Sequence, residues 1–263
     1  MKIVLMLSHD TVFKPRLLYQ VLLRRAQDVC LVAEVKKQKQ PSSRNKNRER
    51  VKRPRLGIWG LRGAMLFAAW TLFNKVRSAL PFPAALRSTS TVKRVASSFE
   101  IPYVSVQDIC DESFIQLVEQ QQPDLIISFQ HQIFTSRHLQ IPRLACLNCH
   151  PALLPKYRGN QPIFWALLEG DDRIGVTVHT MVEKIDAGKV VSQIEMPVYP
   201  NWTLAQYYTA VHELGAEAIL NAIRAVEQNT ISHFPDLDPN AKYYKRPRTI
   251  DLEKSRELGI RAA

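Results

Sequence analysis

Cysteine is sparse, with only Cys30, Cys110, Cys146 and Cys149 in 263 residues, which excludes a disulfide-stapled scaffold and fits a reducing cytoplasm. Cys146 and Cys149 have C-x-x-C spacing, but on an alternating strand they face opposite sides, so neither a disulfide nor a shared metal is expected there. No metal site is expected elsewhere. The opening Met1 to Leu7 is too short for a signal-peptide core and runs into polar residues, so it reads as a first strand. No apolar run reaches the roughly twenty uninterrupted residues of a membrane span. The turn after the first strand, Ser8 to Val12, contains no glycine at all.

The formal charge of +12 suggests a nucleic-acid partner until it is located. Lys36 to Arg55 carries ten Lys or Arg against Glu49 alone, so three quarters of the excess lies in twenty residues and the remainder is nearly balanced. A nucleic-acid partner is therefore not expected. The basic run is rich in Asn, Ser, Gln and Pro and reads as a mobile loop. After it, Ala64 to Val76 has the pattern of a helix that is apolar nearly all round. Two readings stay open: this helix packs on the main domain or on a second subunit, or it lies with the basic run on an anionic membrane surface, a peripheral contact through residues 36–76.

The rest of the chain alternates strand and helix patterns. Lys2 to Leu7 reads as a strand, Phe13 to Ala26 as a helix with Leu17, Leu18, Val21 and Leu22 on one stripe, and Val29 to Val35 as a second strand. A β-α-β opening implies a parallel sheet. Val92 to Phe99 and Asp111 to Gln121 are expected helices, with strands at Ile101 to Val106 and Asp124 to Phe129. Residues 1–35 and 92–234 are thus expected to form one α/β domain interrupted by the insertion 36–91 and followed by a tail, 235–263. Within it, Thr203 to Asn229 reads as a long amphipathic helix.

The chemistry gathers at Leu147 to Arg158. On a strand, residues i and i+2 share a face, so Asn148 and His150 project side by side before Pro151 ends the ladder. A carboxamide and an imidazole then meet at the C-terminal edge of a strand, where open α/β sheets place ligands. A second stretch, Gly175 to Val191, alternates, breaks at Asp186-Ala-Gly and resumes. A carboxylate on that loop is placed to reach His150 and fix its tautomer. Thr177 and His179 share a strand face.

These separated motifs, Asn148-Cys-His150-Pro-Ala-Leu-Leu-Pro-Lys-Tyr-Arg-Gly159, Pro162-Ile-Phe-Trp-Ala, Gly175-Val-Thr-Val-His and Ile185-Asp186-Ala-Gly, resemble the catalytic domain of 10-formyltetrahydrofolate-dependent formyltransferases. That group includes glycinamide ribonucleotide, methionyl-tRNA and sugar N-formyltransferases. The resemblance implies a Rossmann-like fold, with a mostly parallel central sheet and helices on both faces. It also implies 10-formyltetrahydrofolate as co-substrate and Asn148, His150 and Asp186 as the catalytic set. The folate is expected along His131, Gln132 and Ile133 and along Met181, Glu183 and Ile185, and the acceptor at Arg158, Gly159, Gln161, Thr177 and His179. Ribonucleotide-binding members share a Gly-rich first turn whose amides hold phosphate, and this chain departs from that pattern.

Formyl transfer to an amine passes through an adduct bearing an oxyanion, so the site needs donors for that oxygen and an acceptor for the proton of the amine. Asn148 and His150 are the expected donors and Asp186 the expected acceptor. No covalent enzyme intermediate is required. The acceptor expected first is a small amine, such as an amino sugar on a nucleotide or lipid carrier. Methionyl-tRNA is the alternative, and a non-catalytic folate- or nucleic-acid-binding protein of the same fold is the second. The expected location is the cytoplasm or the inner face of its membrane.

Overall fold

A computed structural model describes residues 1–36, 58, 65, 68–70, 72, 73, 91–231, 237, 238 and 240–262. The basic run and most of the apolar segment expected to follow it lie outside the described residues. Among those described there, 65, 68–70, 72 and 73 are helical, and the Trp70 indole N–H donates to the Thr11 carbonyl at 3.4 Å. Among the described residues no helix is long and apolar enough to cross a membrane.

Seven strands form the central sheet. Their ranges are β1 Ile3–Ser8, β2 Val29–Val35, β3 Tyr103–Val106, β4 Leu125–Phe129, β5 Ala145–His150, β7 Arg173–Thr180 and β8 Val190–Pro197, in the order β3-β2-β1-β4-β5-β7-β8. The first five are mutually parallel, while β7 runs antiparallel to both β5 and β8. A short parallel pair, β6 Arg158–Gly159 with β9 Tyr243–Tyr244, ties the C-terminal segment to the loop after β5.

Strand alternation divides the core between the two faces of the sheet. Ile3, Leu5 and Leu7 with Leu147 and Cys149 face one cluster, and Val4 and Met6 with Ile126 and Cys146 the other. The two thiols therefore point apart, as their spacing predicts. The first face is covered by α1 Lys14–Arg25, α2 Val92–Ser98, α5 Pro162–Glu169 and the 24-residue α6 Leu204–Glu227. The second is covered by α3 Glu112–Gln120 and α4 Ser136–Gln140, and α7 Thr249–Glu257 follows β9. Capping fixes several starts: Asp111 accepts from the Ser113 N–H before α3, and Thr203 forms a reciprocal box with Gln206 before α6, each such cap contributing about 1 kcal/mol.

Helices on both sides of a mostly parallel sheet are the expected architecture. The strand order also reverses between β1 and β4, whose C-terminal ends open a crevice at the switch point, the usual place for a ligand.

Candidate active site

A cleft of about 540 Å³ lies over that crevice. Its walls are the exits of β1 (Ser8 to Lys14) and β4 (Gln130 to Phe134), the end of β5 (Asn148 to Pro151), the 181–187 loop, Gly159 to Pro162, and Tyr208 and His212 of α6.

The β5–β7 register sets Asn148 opposite His179 and His150 opposite Thr177. Asn148 Nδ2 donates to His179 Nε2 at 3.2 Å, so that nitrogen must be unprotonated. The other ring nitrogen, Nδ1, lies 2.9 Å from the Thr180 carbonyl and 3.2 Å from that of Ala187 and donates to them. Burial lowers the His179 pKa to about 4, with the nearby His150 adding to the effect, so the ring stays neutral at physiological pH and keeps this tautomer. His179 thereby orients the Asn148 amide and leaves its second N–H for a ligand.

His150 is held in a similar way. Its Nε2 donates to the Tyr157 carbonyl at 3.1 Å, which places Nδ1 3.7 Å from Asp186 Oδ1. That separation is too long for a hydrogen bond and is within ion-pair distance when the ring carries a proton. The second Asp186 oxygen accepts from the Gly159 N–H at 2.8 Å. Asp186 itself has φ +48°, a left-handed conformation that Asp tolerates better than most residues. Gly159 has φ +101°, and a Cβ there would strike the Tyr244 carbonyl and lie 2.8 Å from the Tyr243 ring, so only glycine fits.

Two residues expected at the acceptor lie beneath the site instead and do not line the cleft. Arg158, 4 % exposed, donates through Nη1 to the Ala241 carbonyl at 3.2 Å and through Nη2 to the Ile185 carbonyl. It clamps the Asp186 loop to the C-terminal segment. Thr177 is fully buried: its hydroxyl donates to the Ala152 carbonyl at 2.7 Å and accepts from the Leu154 N–H and from Gln193 Nε2. Their correction has one cause, since backbone carbonyls distant in sequence claim side chains that local composition assigns to solvent. Gly159, Gln161 and His179 do line the cleft.

All six residues expected at the folate line the cleft. Gln132 does so with its side chain already engaged, accepting from the Ile109 N–H at 3.0 Å and donating to the Gln107 and Lys36 carbonyls. It pins the exits of β2, β3 and β4 together. Glu183 accepts from the Ser136 hydroxyl at 2.7 Å, tying its loop to α4. Ile133, Val182 and Ile185 are exposed apolar side chains in this wall, a surface that a flat heterocycle such as a pterin fits by covering it.

Residues outside the sequence motifs also line the cleft. Lys14, Phe13, Phe129, Tyr208 and His212 are among them, and the His212 ring stacks on Phe13 and Phe129 with centroids 4.9 and 5.0 Å apart. Lys14 carried a readable signal, because it lies three and four residues before Leu17 and Leu18 on the buried stripe of α1. At the mouth, His9 Nδ1 lies 3.0 Å from Glu34, which also accepts from the Tyr103 hydroxyl, and the Glu34 hydrogen bond raises the His9 pKa.

Comparisons with known proteins bear on the family and the fold. Residues 80–223 match the family model described as formyl transferase. The chain is 37 % identical over 153 residues to a methionyl-tRNA formyltransferase of Syntrophus aciditrophicus, a match covering 58 % of this chain and 49 % of that protein. It spans about half the length of the curated relatives it matches. The fold is similar to phosphoribosylglycinamide formyltransferase from Anaplasma phagocytophilum, with TM-score 0.57 and 15 % identity over 87 % of this chain and 88 % of that one. It is also similar to WlaRD, a sugar 3N-formyl transferase solved in the presence of dTDP and 5-N-formyl-THF, with TM-score 0.55 and 16 % identity over 94 % of this chain and 70 % of that one.

Proposed function

The chain belongs to the formyl transferase family, its family match covering more than half of its residues, and from this premise we propose that it moves a formyl group from 10-formyltetrahydrofolate to a primary amine. The observation that carries the reading is the meeting of Asn148, His150 and Asp186 on one wall of the cleft, with the Asp186 carboxylate 3.7 Å from the imidazole.

The folate supplies the activated one-carbon unit, and its wall is formed by Ile133, Met181, Val182 and Ile185. Asn148 presents its free amide N–H to the oxygen that becomes anionic as the amine attacks. His150, when protonated at Nδ1, presents a charged donor beside it, and each such donor contributes roughly 100- to 1,000-fold in rate. Asp186, seated by Gly159, holds the imidazolium in place and takes the proton released by the amine; as the adduct collapses, the bond between the formyl carbon and the donor nitrogen breaks and that nitrogen leaves as tetrahydrofolate, with a proton returned to it.

For the acceptor, the curated relatives named methionyl-tRNA formyltransferase support methionyl-tRNA, against the expectation from charge distribution that nucleic acid is not a partner. A small amine such as an amino sugar is the second reading. The cleft of about 540 Å³ favours it, because that volume suits a compact molecule. Glycinamide ribonucleotide fits less well: the turn before α1 contains no glycine, and its Val12 and Phe13 N–H groups already donate to Asp10 at 2.5 and 3.1 Å.

Incubation with 10-formyltetrahydrofolate and either methionyl-tRNA or a panel of amino-sugar nucleotides, followed by tetrahydrofolate release, tests the proposal. Turnover with one class and its loss in Asn148→Ala and Asp186→Ala is expected. Full turnover in both variants would remove the proposed chemistry.

A further inference from the structure

The charge around Lys14 in the cleft is incomplete. Lys14 is 4 % exposed and lines the cleft. Among the described residues its ammonium has no recorded hydrogen bond or ion pair, and it sits 2.6 Å from the centroid of the Phe129 ring. Among the described residues no neighbouring group pairs with it directly. Asp10 acts on it only at a distance, its carboxylate accepting from the Val12 and Phe13 N–H groups of the turn before α1. The Cys149 thiol is pushed up to about 12 by burial and stays uncharged. His212 donates from Nδ1 to the Tyr208 carbonyl at 2.7 Å, and burial keeps its ring neutral. Tyr208 is turned to Gln161, donating to its side-chain oxygen, and burial holds its phenol protonated.

A buried cation without a counter-ion is strongly disfavoured, and most buried lysines have a paired carboxylate or a catalytic use. Here the amine lies over the Phe129 ring, beside the stacked Phe13 and His212 rings, in the lining of the cleft. We propose that Lys14 is a specificity-determining residue whose counter-ion is delivered by the acceptor: the molecule that fills the cleft there carries an oxyanion, phosphate or carboxylate, next to the amine to be formylated. This rests on the formyl-transfer reading and narrows it. The methionine side chain of an aminoacyl-tRNA is an uncharged thioether and its carboxyl is esterified, so such an acceptor offers no anion beside the amine and leaves Lys14 unbalanced. An amino sugar carrying a phosphate, or an amino acid with a free carboxylate, completes it. His9, which lines the same cleft, already has Glu34 as its partner.

The test measures binding of inorganic phosphate, acetate and thymidine diphosphate to the full chain by calorimetry or NMR, with 5-formyltetrahydrofolate binding measured in parallel. The native protein is expected to bind at least one of the three anions. Lys14→Met is expected to weaken that binding at least about tenfold, the value of one lost charge-assisted contact, while Lys14→Arg retains it within about threefold. Both variants should bind the folate as the native chain does, which also reports that they fold. Phosphate and thymidine diphosphate binding without acetate identifies a phosphate-bearing acceptor, and acetate binding alone a carboxylate. The proposal is overturned if Lys14→Met binds all three as the native chain does, or if the native chain binds the folate but none of them. Absence of folate binding to the native chain would instead overturn the formyl-transfer reading, and the anion results stand apart from it.

Discussion

Replacing Lys14 by Met should make the protein more stable, although it removes a side chain from the heart of the cleft. Burial lowers the Lys14 pKa from the ordinary 10.5 to about 7, which corresponds to about 5 kcal/mol at about 1.4 kcal/mol per pH unit. At pH 7 roughly half the folded molecules carry the proton, so about 4 kcal/mol of that remains as a cost of folding. The face of Phe129 offsets about 2 kcal/mol, leaving a net gain of roughly 2 to 4 kcal/mol for an apolar side chain of similar length. In a chain of this size that raises Tm by roughly 5 to 10 °C. The pH dependence gives the sharper signature. Between about 7 and 10.5 the unfolded chain binds the proton and the folded one does not, so native stability is greatest above 10.5, falls as pH drops towards 7, and is level below that. The advantage of Lys14→Met is therefore constant in acid, shrinks through pH 8 to 10 and vanishes above 10.5. Urea unfolding of both proteins at pH 6, 7.5 and 9 measures it. A variant that is less stable than the native chain, or a difference that does not change with pH, would show that the amine has a partner and refute the reasoning.

Three further outcomes follow from contacts around the same cleft. His179→Leu removes the acceptor that orients Asn148, so kcat should fall about tenfold or more with little change in the KM for folate, as measured by initial rates; unchanged kcat would mean Asn148 needs no positioning. Gly159→Ala forces β6 and β9 apart and unseats Asp186, and should cost roughly 2 kcal/mol or more in urea unfolding together with most of the activity, whereas a native-like unfolding midpoint would contradict the glycine argument. In native buffer, a disulfide-exchange reagent should modify the exposed Cys110 first and leave Cys146 and Cys149 unreacted, because burial pushes both of these thiols up to about 12. Rapid modification of all four would place them elsewhere.

The central sheet was readable in the sequence because it rests on short-range periodicity, whereas the roles proposed for Asn148, His150 and Asp186 came from the resemblance of their motifs to a family. Alternation alone puts Asn148 and His150 on one face and turns Cys149 away, and the break at Asp186 marks a loop between two paired strands. The support beneath them was not readable. Arg158 sits in a polar, glycine-bearing loop and looks solvated, but its partners are carbonyls 27 and 83 residues away, and no local pattern encodes a contact at that distance. The same holds for Thr177, whose hydroxyl serves the loop after β5. Lys14 lay between these cases: its place on an apolar helical stripe was visible, but the cleft it lines is completed by Tyr208 and His212, almost two hundred residues later.

The β6–β9 pairing sets a clock for biosynthesis. Tyr243 and Tyr244 are the residues against which Arg158 and Gly159 align, and Asn160 donates to the Tyr244 carbonyl at 2.9 Å. A nascent chain has already emitted every strand of the main sheet while these two tyrosines are still inside the ribosomal tunnel. Until they emerge, the Gly159 N–H that holds the Asp186 carboxylate has no ladder to fix it, so in the growing polypeptide this wall of the cleft is the last to be anchored.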